Sequence, residues 1–564
     1  MNEFDKIPEN PIIYWLSNAM REAFDKGDRL GEVSAPRRGL DTGKDSEFIR
    51  EWFEIGFSLA SFSENKTCTE NNKSRWYPLN KGGKFRRWSG NRQTVINWEN
   101  NGEAISKYAA SHPKGGTRIQ GKPFYFKPLI SWSNIGTGSP SFRFFPNGWI
   151  FGSTGPSLSA NDEQSIAFLG FLNSTICYRF LDALAPGLHF EVGHMSSLPV
   201  IEADSAQVDP IVKELIEMFR RDWDDYETSW DFETNPLVAF HEGSIEKRAE
   251  RRWIESIKSV ERAQSLEETN NRYFAKLYEL ENEVEVEVPL SRISLTANPF
   301  FRYISPKGVT RAEDEYKALF FRDLAKELIS YAVGCMMGRY SLDRPGLILA
   351  DAGDTLEKFD QLVPDAGFSP DDDGILPITE GEYFTDDITA RFRAFLAVAF
   401  GSDAVEATVA WIEEALATGT KKRKTIEDYF LNDFYDDHVQ AYSSRPIYWQ
   451  FSSPKKGFNA LVYLHRYTPA TIGLIHQNYA EEHLDKLQAR LDTITHALPS
   501  ADKRDAVQLG KERDTIAARI REIRSWVDDV LFRMSTERIV LDLDDGVKAN
   551  YPKLAGAVKK VTRL

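Results

Sequence analysis

Cysteine is scarce: Cys68, Cys177 and Cys335 are the only three in 564 residues, they lie far apart, and no C-x-x-C pair occurs. That excludes a zinc ribbon, an iron–sulfur cluster and a disulfide scaffold, and it fits a reducing compartment. Long apolar runs are missing too. No stretch approaches the roughly 18 apolar residues of a membrane span, and Met1-Asn2-Glu3-Phe4-Asp5 has neither the basic nor the apolar region of a signal peptide. A cytoplasmic protein with no membrane partner is the expectation. The nine histidines form no H-E-x-x-H pattern and no H-x-E pattern with cysteines, so a hydrolytic or deaminase zinc site is not expected. Fixed-period repeats and low-complexity linkers are also absent.

What the chain does have is 41% hydrophobic and 27% charged residues, enough to bury sizeable cores. At about 150 residues per domain, three or four domains are expected. The net charge of −15 argues against nucleic acid until its distribution is examined. Residues 73–144 hold thirteen cations (Lys73, Arg75, Lys81, Lys84, Arg86, Arg87, Arg92, Lys107, Lys114, Arg118, Lys122, Lys127, Arg143) and two acids, Glu99 and Glu103. This island carries +11 and leaves −26 to the other 492 residues. A basic island on an acidic chain is the electrostatic footprint of a polyanion site, because phosphate contacts release counterions.

Twelve aromatics interleave with those cations, among them Trp76, Trp88, Trp98, Trp132 and the run Phe124-Tyr125-Phe126. Two readings stand side by side. One is a β-rich core with Lys and Arg on its wet face. The other is a nucleic-acid surface, with Arg for base edges and phosphates and some rings for stacking; even then most of the rings belong to the core.

Pattern and punctuation predict a mixed α+β chain. A leading helix opens at Pro11-Ile12-Ile13-Tyr14-Trp15. Short strand-like runs such as Lys127 to Trp132 follow, broken by Gly-Asn, Gly-Ser and Asn-Gly pairs. One helix is expected from about Glu163 to Ala183. A second begins at Asp209-Pro210, with Ile211, Leu215, Ile216, Phe219, Trp223 and Tyr226 on one face, and a charged helix runs from about Ser244 to Glu281. Leu484, Leu487, Leu491 and Ile494, the Pro499-Ser500 turn, then Leu509, Ile516, Ile520, Ile523, Val527 and Val530 predict a closing helical hairpin.

Strings that imitate catalytic motifs do not hold up. Gly39-Leu40-Asp41-Thr42-Gly43-Lys44-Asp45 is one residue short of a phosphate loop and has Asp where Ser or Thr must hold magnesium. Asn298-Pro299-Phe300-Phe301 resembles the loop that holds a flipped adenine, but its second proline is missing and no S-adenosylmethionine turn precedes it. It reads as a structural turn. Glu315-Tyr316-Lys317 lacks a partner acid for a nuclease site, Asp371-Asp372-Asp373 lacks the remaining ligands of a calcium loop, and Lys421-Lys422-Arg423-Lys424 reads as a solvated helix start. No catalytic residue and no metal ligand is expected.

Several strings together carry a resemblance. Trp76-Tyr77-Pro78-Leu79-Asn80-Lys81-Gly82-Gly83, Arg86-Arg87-Trp88, Gly90-Asn91-Arg92 and Ile96-Asn97-Trp98 are similar to the target-recognition region of the PglX family. These are the adenine-specific DNA methyltransferases of BREX phage-defence systems. The likeness continues through Leu129 to Ser133, Phe171 to Ser174 and Leu188-His189-Phe190-Glu191-Val192-Gly193. It extends to Asn298 to Tyr303, Tyr331 to Met336, Gly338 to Asp343 and Arg445 to Trp449. The family's enzyme is about twice as long, with its methyltransferase domain first, so this chain is expected to be a separate product of a split gene, a truncated product or a fragment.

The resemblance implies a leading helix and linker at 1–24, a DNA target-recognition domain at 25–205 and a helical connector at 206–290. A mainly helical domain at 291–480 and the hairpin at 481–564 complete it. Lys81, Lys84, Arg86, Arg87, Trp88, Asn91, Arg92, Lys122, Lys127 and Arg143 are the expected DNA-binding residues, with one or two of Arg86, Arg87 and Arg92, together with Asn91, reading base edges. The expected partners are double-stranded DNA, a methyltransferase half in cis or trans, and other BREX defence proteins. No cofactor is expected in this chain; S-adenosylmethionine belongs to the missing half, without which the chain is inactive. The alternative is a protein-interaction scaffold of a defence complex with incidental DNA contact. A nuclease hidden in residues 290–480 is a third reading.

Overall fold

The computed structural model describes residues 17–62, 74–135, 139–160, 164–184, 187, 189–305, 308–381, 383–419, 424–562 and 564. The Pro11–Trp15 segment, Lys73, Cys68, Leu188 and Lys421 to Arg423 lie outside them. The chain is mixed α+β, with several small sheets and a helical C-terminal region. It forms two compact units: residues 1–52, 58–230 and 250–320 make the first, and 53–57, 231–249 and 321–564 the second.

Among the described residues, nine short strands build the sheets of the first unit: β1 (Asp28–Arg29), β2 (Ile49–Glu51), β3 (Trp76–Asn80), β4 (Thr94–Asn97), β5 (Leu129–Trp132), β6 (Phe142–Phe145), β7 (Ile150–Phe151), β8 (Ser157–Ser159) and β9 (Pro199–Val200). One sheet has the order β2-β4-β3-β7, antiparallel except for the parallel β3–β7 pair. A second, β6-β5-β8, is antiparallel, with Ser131 opposite Arg143 and Trp132 opposite Phe142. β1 and β9 pair as a two-stranded ribbon. β3 and β5 are buried along their whole length, so they show no alternation of apolar and polar residues.

The helix expected at 163–183 is two helices, Ser165–Leu172 and Thr175–Leu184. Asn173 divides them because its side chain serves a strand. Its Oδ1 accepts from the Phe142 amide at 3.1 Å and its Nδ2 donates to the Phe142 carbonyl at 3.0 Å. The Ser174 hydroxyl then accepts from the Cys177 amide at 3.3 Å and starts the next helix. Ser165–Leu172 is apolar nearly all round and lies in the core with Val208, Val212, Leu215 and Phe219. Those four sit on the helix Ser205–Asp224, which begins earlier than Asp209-Pro210 suggests, because Asp204 caps it through the Ala206 amide at 3.0 Å. The long charged helix runs from Ile245 to Leu277.

Asn298-Pro299-Phe300-Phe301 is the structural turn that its sequence predicts. Asn298 is fully buried, its Oδ1 caps the Pro299–Arg302 turn through the Phe300 amide at 3.0 Å, and its Nδ2 donates to the Leu290 and Ile293 carbonyls, both at 2.7 Å. Asn298→Asp keeps the cap but aims a carboxylate at two carbonyl oxygens. We expect it to cost about 3 kcal/mol, against about 2 for Asn298→Ala. Denaturant unfolding checks the order; equal stability of the two variants would contradict it.

In the second unit, β10 (Ile375–Pro377), β11 (Tyr448–Ser452) and β12 (Asn459–Tyr463) form an antiparallel sheet with β12 central. The acidic loop before β10 is an amide clamp: Asp371 Oδ1 accepts from the amides of Asp373, Gly374 and Ile375 at 3.2, 2.8 and 3.2 Å. Burial, reinforced by the neighbouring Asp371, pushes the Asp373 carboxyl up to about 7. The expected hairpin is present, with Glu481–Ala497 packed against Lys503–Trp526 and with Leu484, Leu487, Ile494, Ile516 and Ile523 buried.

Candidate nucleic-acid interface

The strings that carry the island's densest charge fold inward. Arg86 and Arg87 are each 4% exposed, Arg92 is 5% exposed, and Trp88 and Arg143 are fully buried. Their expected place on a DNA surface is corrected by that burial and by the partners they meet. Arg86 donates to the Ser89 and Phe219 carbonyls at 2.7 Å each, to Thr296 Oγ1 at 2.8 Å, and to Asp222 Oδ2 at 3.0 Å. Asp222 in turn accepts from the amides of Thr296 and Ala297 at 2.7 and 2.8 Å, so the pair is fully satisfied. Arg87 pairs with the buried Glu267, whose other oxygen takes the Trp88 indole N–H at 2.7 Å. Arg92 lies over the rings of Trp149 and Trp230 at 5.4 and 5.8 Å.

Arg143 has different surroundings from Arg86 and Arg87. Among the described residues its guanidinium meets oxygens that bear no charge: the Arg86 carbonyl at 3.0 Å and the hydroxyls of Ser141 and Ser133 at 3.1 and 3.3 Å. Burial, with the like charge of Arg86 beside it, brings it down to about 10.

The other five expected residues stay at or near the surface. Lys81 pairs with Asp45, and Asn91, with φ of +55°, donates to the Lys84 carbonyl at 2.9 Å. Lys84, Lys122 and Lys127 are exposed. The Lys127 ammonium lies 5.7 Å from the centre of the Phe124 ring, and Arg37 covers the same ring at 3.3 Å. Arg37, Phe124 and Lys127 line a shallow recess.

Arg37 belongs to a group of cations that charge counting along the chain missed. An extended segment, residues 37–42, lies between two partners. On one side Arg37 exchanges amide and carbonyl with Ser157 at 2.9 and 3.0 Å, and the Leu40 amide donates to Phe151 at 3.0 Å. On the other, Asp41 exchanges both bonds with Arg118 at 2.9 Å. Gly39 is required for this fit, because a Cβ there would stand 1.9 Å from the Phe151 carbonyl oxygen. The pairing assembles Arg37, Arg38, Lys44, Lys114, Arg118, Lys122 and Lys127 on neighbouring turns. Among the described residues, Lys84, Lys114, Arg118, Lys122 and Lys127 have no carboxylate partner, whereas Lys44 pairs with Glu47 at 2.9 Å. Arg37-Arg38 lies outside the island, and only the neighbouring Gly39 to Asp45 string pointed to its neighbourhood.

Uncompensated ammonium and guanidinium groups flanking half-buried rings can hold phosphates and stack on bases. The island's rings are otherwise core: Trp76, Trp88, Trp98, Trp132 and Phe142 are fully buried, while Phe85, Tyr108, Phe124, Phe126 and Phe144 are partly exposed.

No family model matches the chain. It is 34% identical over 579 aligned positions to the adenine-specific methyltransferase BrxX of Escherichia coli O9:H4 (strain HS), an alignment that takes in 100% of this chain and 46% of that protein. The adenine-specific methyltransferase PglX of Lacticaseibacillus casei (strain Zhang) is also 34% identical, over 100% of this chain and 45% of its own length. Over its whole length the chain is therefore a relative of the adenine-specific methyltransferases BrxX and PglX, and it spans about half the length of each.

Proposed function

We propose that this chain is the DNA-recognition and C-terminal half of a BREX-type adenine-specific DNA methyltransferase, acting in phage defence from the cytoplasm. The observation that supports it is the similarity of the full length of this chain to about half of two adenine-specific methyltransferases. In this reading the surface formed by residues 37–44 and 114–127 docks on duplex DNA, with Lys114, Arg118, Lys122 and Lys127 on phosphates and Arg37 and Phe124 beside them. A methyltransferase half, in cis or trans, binds S-adenosylmethionine and receives the adenine turned out of the stack. The buried cations hold the frame that keeps the surface cations in register.

Fluorescence anisotropy of a labelled duplex tests the proposal. Binding should weaken steeply with salt, with a log–log slope of about −0.9 per phosphate contact. The chain alone should transfer no methyl group. Absence of binding at low salt would overturn the DNA reading in favour of a protein-interaction scaffold, and methyl transfer by the purified chain would overturn the assignment of catalysis to another half.

A further inference from the structure

We propose that the Lys81–Asp45 pair is a base-reading couplet that selects a G·C pair in the major groove of duplex DNA. The inference rests on the DNA-recognition reading above and adds to it the chemistry of one contact. Lys81 leaves the end of β3, where the Thr154 hydroxyl donates to its carbonyl at 3.0 Å and the Gly152 amide donates to the Asn80 carbonyl at 2.9 Å. Asp45 opens the short helix Asp45–Phe48, and the Thr42 hydroxyl holds its Oδ1 at 2.6 Å. Its Oδ2 faces the Lys81 ammonium, and the two side chains are 40% and 53% exposed. They line a small recess together with the apolar side chains of Leu40, Ile49, Leu79 and Ile96.

Two properties set this pair apart from the solitary cations around it. Its charges cancel at short range, so it attracts a phosphate far less than Lys122 or Lys127 does. Both partners nevertheless keep hydrogen-bonding capacity: two further N–H donors on Lys81 and a free lone pair on Asp45. Each is anchored on its own backbone element, so donor and acceptor are presented side by side in a fixed spacing.

That arrangement complements guanine O6 and N7, which accept from an ammonium, together with the cytosine 4-amino group, which donates to a carboxylate. An A·T pair fits less well: the ammonium finds one acceptor beside the adenine 6-amino group, N7 or O4, in place of two, and a carboxylate on that amino group faces the remaining acceptor.

Selection from a pool of duplexes with a randomised central segment, followed by sequencing of the bound fraction, tests the couplet on the full chain. The native chain should enrich G·C at one position. Asp45→Asn, whose amide both donates and accepts, should move that position toward A·T with about a tenfold loss of discrimination and an unchanged salt slope. Lys81→Gln should relax the same position. Lys84→Ala, by contrast, should lower the slope by about 1 and leave the motif intact.

Binding by the native chain without any enriched position would overturn the couplet, as would an unaltered motif in both Asp45→Asn and Lys81→Gln. Either result leaves salt-dependent docking standing. No binding by the native chain overturns the DNA reading and the couplet together.

Discussion

Arg87→Ala is expected to destabilise the first unit by about 3–5 kcal/mol, because it strands a carboxylate in the core. Glu267 is 2% exposed and spends its two oxygens on the Arg87 guanidinium and the Trp88 indole. The alanine removes the countercharge, two ring contacts over Phe85 and Tyr178, and the volume of the guanidinium. Urea unfolding followed by tryptophan fluorescence should show the transition of the first unit moving to lower denaturant, while the double replacement Arg87→Met with Glu267→Leu should recover most of the loss. An Arg87→Ala chain that unfolds at the native midpoint would refute the account, and with it the claim that this arginine is part of the frame.

The second large effect is on binding and should leave stability alone. Replacing Lys114, Arg118, Lys122 and Lys127 together by alanine removes four cations that have no carboxylate partner among the described residues. If each neutralises one phosphate, the salt slope falls by roughly 3.6, and affinity near 0.1 M salt drops by more than about a hundredfold. Exposed substitutions of this kind change folding stability by only about 0.5 kcal/mol each. A variant that keeps the native slope would move the DNA surface to another face. The outcome is the reverse of that for an Arg86/Arg87/Arg92 variant, in which weakened binding would report unfolding rather than lost contacts.

Local pattern carried the elements of this fold further than it carried the site. The hairpin after residue 480 was legible because Leu484, Leu487 and Ile494 repeat at helical spacing and Pro499 marks the turn. The break at Asn173 was not, since a helix interior and an Asn that bonds to a distant strand look alike until Phe142 is beside it. Charge density misled for the same reason. Arg86-Arg87-Trp88 reads as a basic, aromatic surface, but the carboxylates that neutralise it, Asp222 and Glu267, stand 136 and 180 residues further on. Lys122 and Lys127 keep their exposure because no such acid reaches them. Arg37 and Arg38 escaped notice because contacts between residues far apart in the chain, the pairing of Asp41 with Arg118 and the stacking of Arg37 on Phe124, bring them to the island.

The Arg86 hub has a consequence for the order in which the polypeptide becomes structured. Its guanidinium bonds to Ser89 locally but to Phe219, Asp222, Ser294 and Thr296 across separations of 133 to 210 residues. During synthesis the strands near residue 86 emerge long before these partners exist. Until Asp222 and Glu267 have left the ribosome, the Arg86 and Arg87 guanidinium groups have no acid to meet, and until residues 294–296 follow, Arg86 lacks its remaining acceptors. High contact order of this kind slows folding and lengthens the exposure of unpaired strand edges. The first unit is thus expected to consolidate late and in one step, with the arrival of residues 267–296 as its trigger.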